Sequence, residues 1–332
     1  MKKLIVFLAV IIFLGSNFPV DGVKAVESKT AYIDVAAATL WTEPNLAREI
    51  DMPSTVNPVD LWTWTKSMSY EEKLWLVGNL ETQALLGSKV TILEEKGDWV
   101  KVAAHGQPTP RNELGYPGWM PKEQLTKGKA YSKYDNKRFA LVISPTAWLY
   151  KDKKLKREYM EVSFNTRLPV KKEMRDQVLV ATPSDGMKWI SKNEIEIYKS
   201  EDDIPKPTGK DVFETGKQFL GLPYLWAGMS GFGFDCSGFT HTIYKANGIT
   251  IPRDSSVQAA FGTPVAKEDL QVGDLLFFAY DQGKGRVHHV GMYVGDGKMI
   301  HSPNTSTHVR IDKVETSGYG EEYAGARRYI ED

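Results

Sequence analysis

The sequence has little cysteine, no net charge and no apolar run long enough to span a bilayer. Its 332 residues include one cysteine, Cys236, so no disulfide can form within the chain. Its 42 basic and 42 acidic residues balance, which argues against nucleic acid as a partner. We find no nucleotide-binding glycine loop, heptad array or low-complexity tract. These absences leave an ordinary globular chain of two or three domains.

The amino terminus has the pattern of a secretory signal. Met1-Lys2-Lys3 precedes an apolar run from Leu4 to Leu14, about half the ~20 residues that a membrane-spanning helix needs. Val23-Lys24-Ala25 then offers a cleavage site with small residues at its first and third positions. We therefore expect residues 1–25 to be removed and the protein to be secreted and extracellular, with no membrane contact after cleavage.

The lone cysteine lies at a position that favours chemistry over packing. In an oxidising compartment spare cysteines form disulfides, so Cys236 must be a free thiol, either a small buried apolar group or a nucleophile. Phe239, Ile243 and Tyr244 recur at helical spacing after it, and Asp235 can cap the helix. Cys236 thus opens a helix, whose amide groups and dipole should lower the thiol pKa and favour a thiolate.

Two histidines qualify as the base and its orienting partner. His289 begins one alternating run, and His301 ends the next, after Gly295-Asp296-Gly297. A two-residue turn would place the two side chains on opposite faces of the hairpin. A three-residue or bulged turn pairs Gly291 with His301 and places both imidazoles on one face. We predict the second register.

The other histidines have simpler interpretations. We expect His105, His241 and His308 to be surface or satisfied core residues, and His288 to point away from its neighbour. Cys236, His289 and His301 could instead bind zinc. However, a thiol at a helix start already has a role, and no supporting carboxylate is identifiable, so we expect no metal or cofactor.

The chain before the cysteine contains an internal repeat. Residues 35–41 are similar to residues 144–150, and residues 119–122 are similar to residues 189–192. The first pair of segments is separated by more residues than the second pair, which indicates an insertion in the first copy, at about residues 44–78. Ser69-Tyr70-Glu71-Glu72 within it is typical of a helix start.

In both copies apolar and polar residues alternate in short runs, as in small all-β barrels, and both copies resemble bacterial SH3-like domains. The first has the Gly97-Asp98-Trp99-Val100 turn and Gly118-Trp119, and the second has Lys188-Trp189 at the later position. The resemblance implies positioning on the bacterial cell wall. We assign residues 30–127 and 128–199 to these domains, 200–210 to a linker and 211–332 to the domain that contains Cys236.

The last third of the chain resembles NlpC/p60-type cell-wall peptidases. The matching motifs are Pro223-Tyr224, Asp235-Cys236-Ser237-Gly238, residues 270–275, residues 289–293 and Ile300-His301-Ser302. The resemblance implies an α+β fold, with a papain-like catalytic domain preceded by two small all-β SH3-like barrels. It also implies that Cys236 attacks, His289 is the base, His301 orients it and Tyr224 helps to stabilise the oxyanion. Ala227 departs from the family, which usually has glycine there.

The resemblance further implies a substrate. Members cleave the bond between D-γ-glutamate and an L-diamino acid in peptidoglycan stem peptides, so we expect peptidoglycan-derived peptides and the cell wall as partners. An amidase, an acyltransferase or an inactive wall-binding scaffold are the alternatives. Substrate contacts are expected from Trp226, Asp235, Ser237 and Ser255.

Finer specificity depends on a second set of residues. Asp254 replaces a commoner threonine or serine and adds a carboxylate near the cleft, while Tyr116 and Glu81 of the first barrel could close the cleft. Together they suggest recognition of a free amino-terminal L-alanine and release of L-Ala-D-Glu. Alternatively, Tyr116 is a turn aromatic and Asp254 a helix cap.

Overall fold

The computed structural model describes residues 29–135 and 137–330, which form two barrels and a mixed helix and sheet domain. The predicted signal, residues 1–25, lies outside the described residues. Within the described part of the chain, no helix is long and apolar enough to cross a membrane.

The first barrel is an antiparallel seven-stranded sheet with the order β3-β2-β6-β5-β4-β1-β7. Its alternating apolar residues, Val90, Val100 and Val102 among them, point inward and are fully buried. Gly97 has a φ of 56° and makes the tight turn between β4 and β5. The strands are β1 (Lys29–Ile33), β2 (Ala37–Trp41), β3 (Leu80–Leu85), β4 (Lys89–Lys96), β5 (Trp99–Ala104), β6 (Tyr116–Pro121) and β7 (Leu125–Thr126).

The second barrel repeats the strand order of the first, as β10-β9-β13-β12-β11-β8-β14. The pairing of Trp41 with Trp119 in the first barrel recurs as Tyr150 with Trp189 in the second. These are the positions that the internal alignment matched, so the predicted repeat is confirmed. The strands are β8 (Phe139–Val142), β9 (Thr146–Tyr150), β10 (Glu158–Ser163), β11 (Arg167–Glu173), β12 (Gln177–Ala181), β13 (Met187–Ser191) and β14 (Ile195–Tyr198).

A helical insertion separates β2 from β3 in the first barrel only. It contains α1 (Met52–Thr55), α2 (Leu61–Ser67) and α3 (Tyr70–Trp75). Ser69 caps α3 in a reciprocal capping box with Glu72, as the sequence predicted. Trp64 of α2 is fully buried against the barrel.

The third unit packs helices on a six-stranded sheet with the order β17-β22-β18-β19-β20-β21. Helix α5 lies against β19, and their contact forms the main core with Phe239, Ile243 and Val290. The helices are α4 (Gly209–Lys217), α5 (Cys236–Ala246), α6 (Ser255–Ala260) and the single turn α7 (Tyr280–Gly283). The strands of this sheet are β17 (Thr263–Val265), β18 (Leu275–Ala279), β19 (Val287–Gly295), β20 (Lys298–His301), β21 (Arg310–Lys313) and β22 (Tyr323–Arg328), and a separate two-stranded sheet consists of β15 (Met229–Ser230) and β16 (Gly233–Phe234).

The first barrel is joined to this third unit by buried polar and apolar contacts. Gln83 Oε1 accepts hydrogen bonds from the Met229 amide at 3.0 Å and the Ser230 hydroxyl at 2.9 Å. Leu225 and Phe232 belong to the same core cluster as Trp64 of the insertion. The barrel is therefore held beside the loop that leads into α5.

Candidate active site

Cys236 is the first residue of α5 and is 9% exposed. Asp235 caps the helix, since its Oδ1 accepts a hydrogen bond from the Gly238 amide at 2.6 Å. The Cys236 sulfur accepts a hydrogen bond from the backbone amide of Val290, the residue after His289. The predicted helix start is thus confirmed, and the thiol faces β19.

The predicted depression of the thiol pKa is wrong for the free protein. Burial, followed by the negative charge of Asp235, raises the pKa of Cys236 to about 12. The Val290 and Ser237 amides favour the thiolate but do not offset these effects. Cys236 is therefore a neutral thiol until a base removes its proton.

The hairpin that carries the two histidines has the predicted register. Met292 pairs with Ile300 and Tyr293 with Met299, with an irregularity before the two-residue turn at Asp296-Gly297. This bulged form was one of the two arrangements expected to bring the rings together. His289 Nε2 lies 2.8 Å from His301 Nδ1, so both imidazoles are on one face.

A carboxylate that the sequence did not reveal completes this array. Asp312 Oδ2 on β21 lies 3.1 Å from His301 Nε2 and accepts a second hydrogen bond from Arg310 Nε at 2.8 Å. Because a carboxylate only accepts, His301 Nε2 carries the proton and His301 Nδ1 is an acceptor. The His289 Nε2–H then donates to His301, which leaves His289 Nδ1 as a free base.

Both rings are neutral in the resting site. Burial, with a smaller effect of the neighbouring His301, lowers the pKa of His289 well below its ordinary value. Burial also lowers the pKa of His301 to about 4, although Asp312 opposes the shift. A neutral thiol and a neutral imidazole suit proton transfer during attack.

Tyr224 lies in the same buried region. Burial, followed by the charges of Cys236 and Asp235, raises the pKa of Tyr224 well above its ordinary value. The hydroxyl therefore keeps its proton and can donate a hydrogen bond to a developing oxyanion.

Arg253, which sequence reasoning passed over, fills the space beside the cysteine. It is 1% exposed and donates to Asp235 Oδ2 at 2.7 Å, to Ser237 Oγ at 2.9 Å and to Thr82 Oγ1 of the first barrel at 3.1 Å. Asp235 and Ser237, predicted to contact substrate, thus form a buried ion-pair network beside Cys236. Asp235 and Thr82 are distant from Arg253 in the sequence, so no local pattern indicates this network.

The first barrel contributes a second polar cluster next to Arg253. The Tyr116 hydroxyl donates to the Asp254 carboxylate at 3.0 and 3.1 Å, and Arg111 Nη1 donates to that hydroxyl at 3.1 Å. Arg111 also pairs with Glu81, at 2.6 Å between Nη2 and Oε1. Tyr116 is a buried strand residue, and the Asp254 side chain makes no capping bond to α6. The turn alternative is therefore wrong, and Asp254 occupies the N-cap position of α6 without capping the helix through its side chain.

The remaining predicted residues lie at the edges of the site. The Trp226 indole N–H donates to the Leu80 carbonyl at 3.1 Å, a contact with the first barrel. Ser255 is the half-buried first residue of α6. Ala227 has a φ of 62°, a conformation that glycine adopts more easily and that explains the family preference.

The other histidines lie apart from the thiol. His105 bonds to Thr91, His241 to the Ile251 carbonyl and His288 to Glu322, while His308 is exposed. Among the described residues, no three histidine, cysteine, aspartate or glutamate side chains are arranged to hold a metal ion.

Comparison with known families matches all three units. The NlpC/P60 family matches residues 221–328. The YKFC SH3b2 domain matches residues 142–198, and the bacterial dipeptidyl-peptidase Sh3 domain matches residues 78–125. The predicted fold class, a papain-like α+β domain after two SH3-like barrels, is confirmed.

Whole-chain relatives are also found. The chain is 56% identical over 332 residues to the gamma-D-glutamyl-L-lysine dipeptidyl-peptidase of Bacillus cereus (strain ATCC 10987 / NRS 248), covering 99% of this chain and 100% of that protein. It is 41% identical over 296 residues to the protein of the same name from Bacillus subtilis (strain 168), covering 88% and 96%. A crystal structure of an NlpC/P60 family protein from Bacillus cereus ATCC 10987 has a TM-score of 0.89 and 60% identity, covering 91% of this chain and 100% of that one.

Proposed function

Because the chain is a cysteine peptidase of the NlpC/P60 family, we propose that it hydrolyses the bond between γ-D-glutamate and an L-diamino acid in peptidoglycan stem peptides. We further propose that it prefers peptides with a free amino-terminal L-alanine and releases L-Ala-D-Glu. The names of the two Bacillus relatives support the bond and the dipeptide product.

The hydrogen bond between Tyr116 and Asp254 is the main support for the proposed preference for a free amine. This bond places the half-buried Asp254 carboxylate of the peptidase domain against a strand of the first barrel. The preceding residue, Arg253, bonds to Asp235, which is the residue before Cys236. A dipeptide acyl group is short, so its amino end must lie close to the thiol. The carboxylate is positioned to receive that ammonium.

The charges of the cluster agree with a cationic ligand. Asp235, Asp254 and Glu81 are three carboxylates, whereas Arg253 and Arg111 are two guanidinium groups. One negative charge therefore remains, enough to balance one ammonium. In the intact wall the alanine nitrogen is part of an amide with muramic acid and carries no charge, so released peptides are the better substrates.

The proposed reaction is acyl transfer through a thioester. His289 Nδ1 takes the Cys236 thiol proton as sulfur adds to the γ-carbonyl carbon, and Tyr224 donates to the oxyanion. The C–N bond then breaks, and His289 returns the proton to the departing amine. Water, deprotonated by His289, hydrolyses the thioester, which releases the γ-carboxylate of L-Ala-D-Glu and restores the thiol.

Kinetics with blocked and free peptides test the preference. We expect acetylation of the alanine amine of L-Ala-γ-D-Glu-L-Lys to lower kcat/KM about 100-fold or more, because Asp254 would then face a neutral amide. Asp254→Asn should lower kcat/KM for the free peptide by about 10- to 100-fold and narrow the ratio between the two substrates.

The matched control is Asp176→Asn, since Asp176 is an aspartate of the second barrel whose side chain is 80% exposed. This variant should behave like the wild type. Equal cleavage of the acetylated and free peptides by the wild type would refute the free-amine preference while leaving the peptidase assignment intact.

The proposal includes export, because peptidoglycan peptides are released outside the cytoplasm. It is supported by the apolar segment within residues 1–25, which lies outside the described residues. Sequencing the amino terminus of protein recovered from culture medium tests it, with residue 26 as the expected start.

A further inference from the structure

Tyr319 contacts both histidines of the site through its ring. Its phenol lies parallel to the His289 imidazole, with 4.1 Å between ring centroids and 13° between planes. It meets His301 edge-on, at 5.7 Å and 79°. The loop between β21 and β22 that carries Tyr319 supplies no other contact of this kind to the pair within the described residues.

Tyr319 is itself held in place. Its hydroxyl donates to the Pro303 carbonyl at 3.3 Å, and its amide donates to Ser317 Oγ at 3.3 Å. Phe278, which pairs with His289 across the sheet, packs 5.3 Å from the Tyr319 ring. The phenol therefore presents a fixed surface to the imidazole.

One hydrogen bond, from Nε2 to His301, and a tilted contact with Phe278 at 5.8 Å leave the His289 ring able to turn about its Cβ–Cγ bond. Rotation would turn Nδ1 away from Cys236. A parallel aromatic ring removes this freedom, because the imidazole can turn only by losing the stack. The negative face of the phenol also favours the imidazolium that forms when His289 takes the thiol proton.

We propose that Tyr319 is a positioning residue, which fixes the ring plane of His289 so that Nδ1 faces the Cys236 thiol. The proposal rests on the proposed role of His289 as the base. It assigns the effect to the aromatic ring of Tyr319 and not to its hydroxyl.

Replacing the ring tests the proposal, and the chain contains a matched control. Tyr280 stacks at 4.2 Å and 22° on His288, which bonds to Glu322 and has no bond to the catalytic pair. With L-Ala-γ-D-Glu-L-Lys as substrate, Tyr319→Leu should lower kcat by about 30-fold or more and change KM by less than about threefold. Tyr319→Phe keeps the ring and should stay within about threefold of the wild type, as should Tyr280→Leu.

A second readout does not depend on substrate binding. Cys236 is the only cysteine, so iodoacetamide can alkylate only this thiol. The alkylation rate of Tyr319→Leu should fall by the same factor as its kcat, because alkylation and catalysis both need His289 to remove the thiol proton. Should Tyr319→Leu unfold, Tyr319→Gln replaces it as a second variant without an aromatic ring.

Two results would overturn the proposal. One is wild-type kcat in Tyr319→Leu while His289→Ala is inactive. The other is a loss in Tyr319→Phe equal to that in Tyr319→Leu, which would assign the effect to the hydroxyl. An active His289→Ala would instead refute the base assignment itself, so the two failures are distinguishable.

Discussion

Asp312 decides which nitrogen of each histidine carries a proton. Its carboxylate accepts from His301 Nε2 at 3.1 Å and so leaves Nδ1 of both rings as acceptors along the path to the thiol. A carboxamide at this position could also accept, but its NH₂ group would favour the opposite tautomer.

Asp312→Asn should therefore lower kcat by about 10- to 1000-fold with little change in KM. This loss is smaller than the ~10⁴-fold loss that follows when a carboxylate bonded directly to the catalytic base is replaced by an amide. Glu322→Gln is the control, because Glu322 bonds to His288 in the same way at 3.0 Å. Steady-state kinetics check the pair, and equal activities of the two variants would contradict the tautomer argument.

The low imidazole pKa values set the pH range of activity. Burial lowers the pKa of His289 and lowers that of His301 to about 4, so both rings lose their protons already in mildly acidic solution. A general base acts only in its neutral form, and we expect the acid limb of kcat/KM to have its midpoint below the ordinary histidine pKa of ~6.5.

On the alkaline side, burial raises the pKa of Cys236 to about 12, so loss of the thiol proton to solvent should not shape the profile near neutrality. The measurement is kcat/KM from acidic to mildly alkaline pH, with thermal melting at each pH as a control for folding. A midpoint of the acid limb at or above pH ~6.5 would show that the imidazole pKa values are not lowered in the site.

At the scale of elements, the hairpin of β19 and β20 determines whether the histidines meet. The strands approach closely at Gly291, where a Cβ atom would lie 2.7 Å from Met299 Sδ and 3.3 Å from His301 Cβ. A side chain here would displace the Met299 thioether and press against His301 Cβ, which shifts the His301 ring relative to His289.

We expect Gly291→Ala to lower the free energy of unfolding by about 1–3 kcal/mol and kcat by about tenfold or more. Urea denaturation and kinetics measure the two effects. Gly297→Asn in the same hairpin is the control, because its Cβ meets open space and asparagine tolerates the φ of 66°. Unchanged kcat in Gly291→Ala would show that this approach does not position His301.

Several of these features followed from local patterns in the sequence. The period-two alternation constrained the faces of His289 and His301, and the spacing after Cys236 indicated the helix that Asp235 caps. Asp312 escaped notice because its role depends on the pairing of β21 with β20, which an exposed-looking run does not specify. The thiol pKa was wrong because burial, a property of the folded domain, outweighs the helix end.

At the scale of the whole molecule, the first barrel and the peptidase domain share a core. Phe232 of the peptidase domain is 3% exposed and meets Trp62 of the insertion edge-on at 5.2 Å. Leu225 and Trp64 belong to the same cluster. Units that share buried apolar surface unfold together.

Phe232→Ala should lower the free energy of unfolding by about 3–5 kcal/mol and leave one common transition for the barrel and the peptidase domain. Phe261→Ala is the control, since Phe261 is 58% exposed in the same domain and should change stability by less than about 0.5 kcal/mol. Calorimetry of the full chain checks both. Separate transitions, of which only one responds to Phe232→Ala, would contradict a shared core.

The shared core matters because it fixes Tyr116 against Asp254, residues 138 positions apart in the chain. The sequence suggested that Tyr116 and Asp254 both lie near the cleft, but it did not predict their contact. No periodicity in the sequence could have related a strand of one domain to a loop of another.

Product analysis identifies the bond that the protein cleaves. L-Ala-γ-D-Glu-L-Lys and its diaminopimelate counterpart are incubated with the full chain, and mass spectrometry identifies the products, with Cys236→Ala as the control. We expect L-Ala-D-Glu and the free diamino acid, an acid-trapped dipeptidyl thioester on Cys236, and no products from Cys236→Ala. Cleavage between alanine and glutamate, or turnover by Cys236→Ala, would contradict the proposed function.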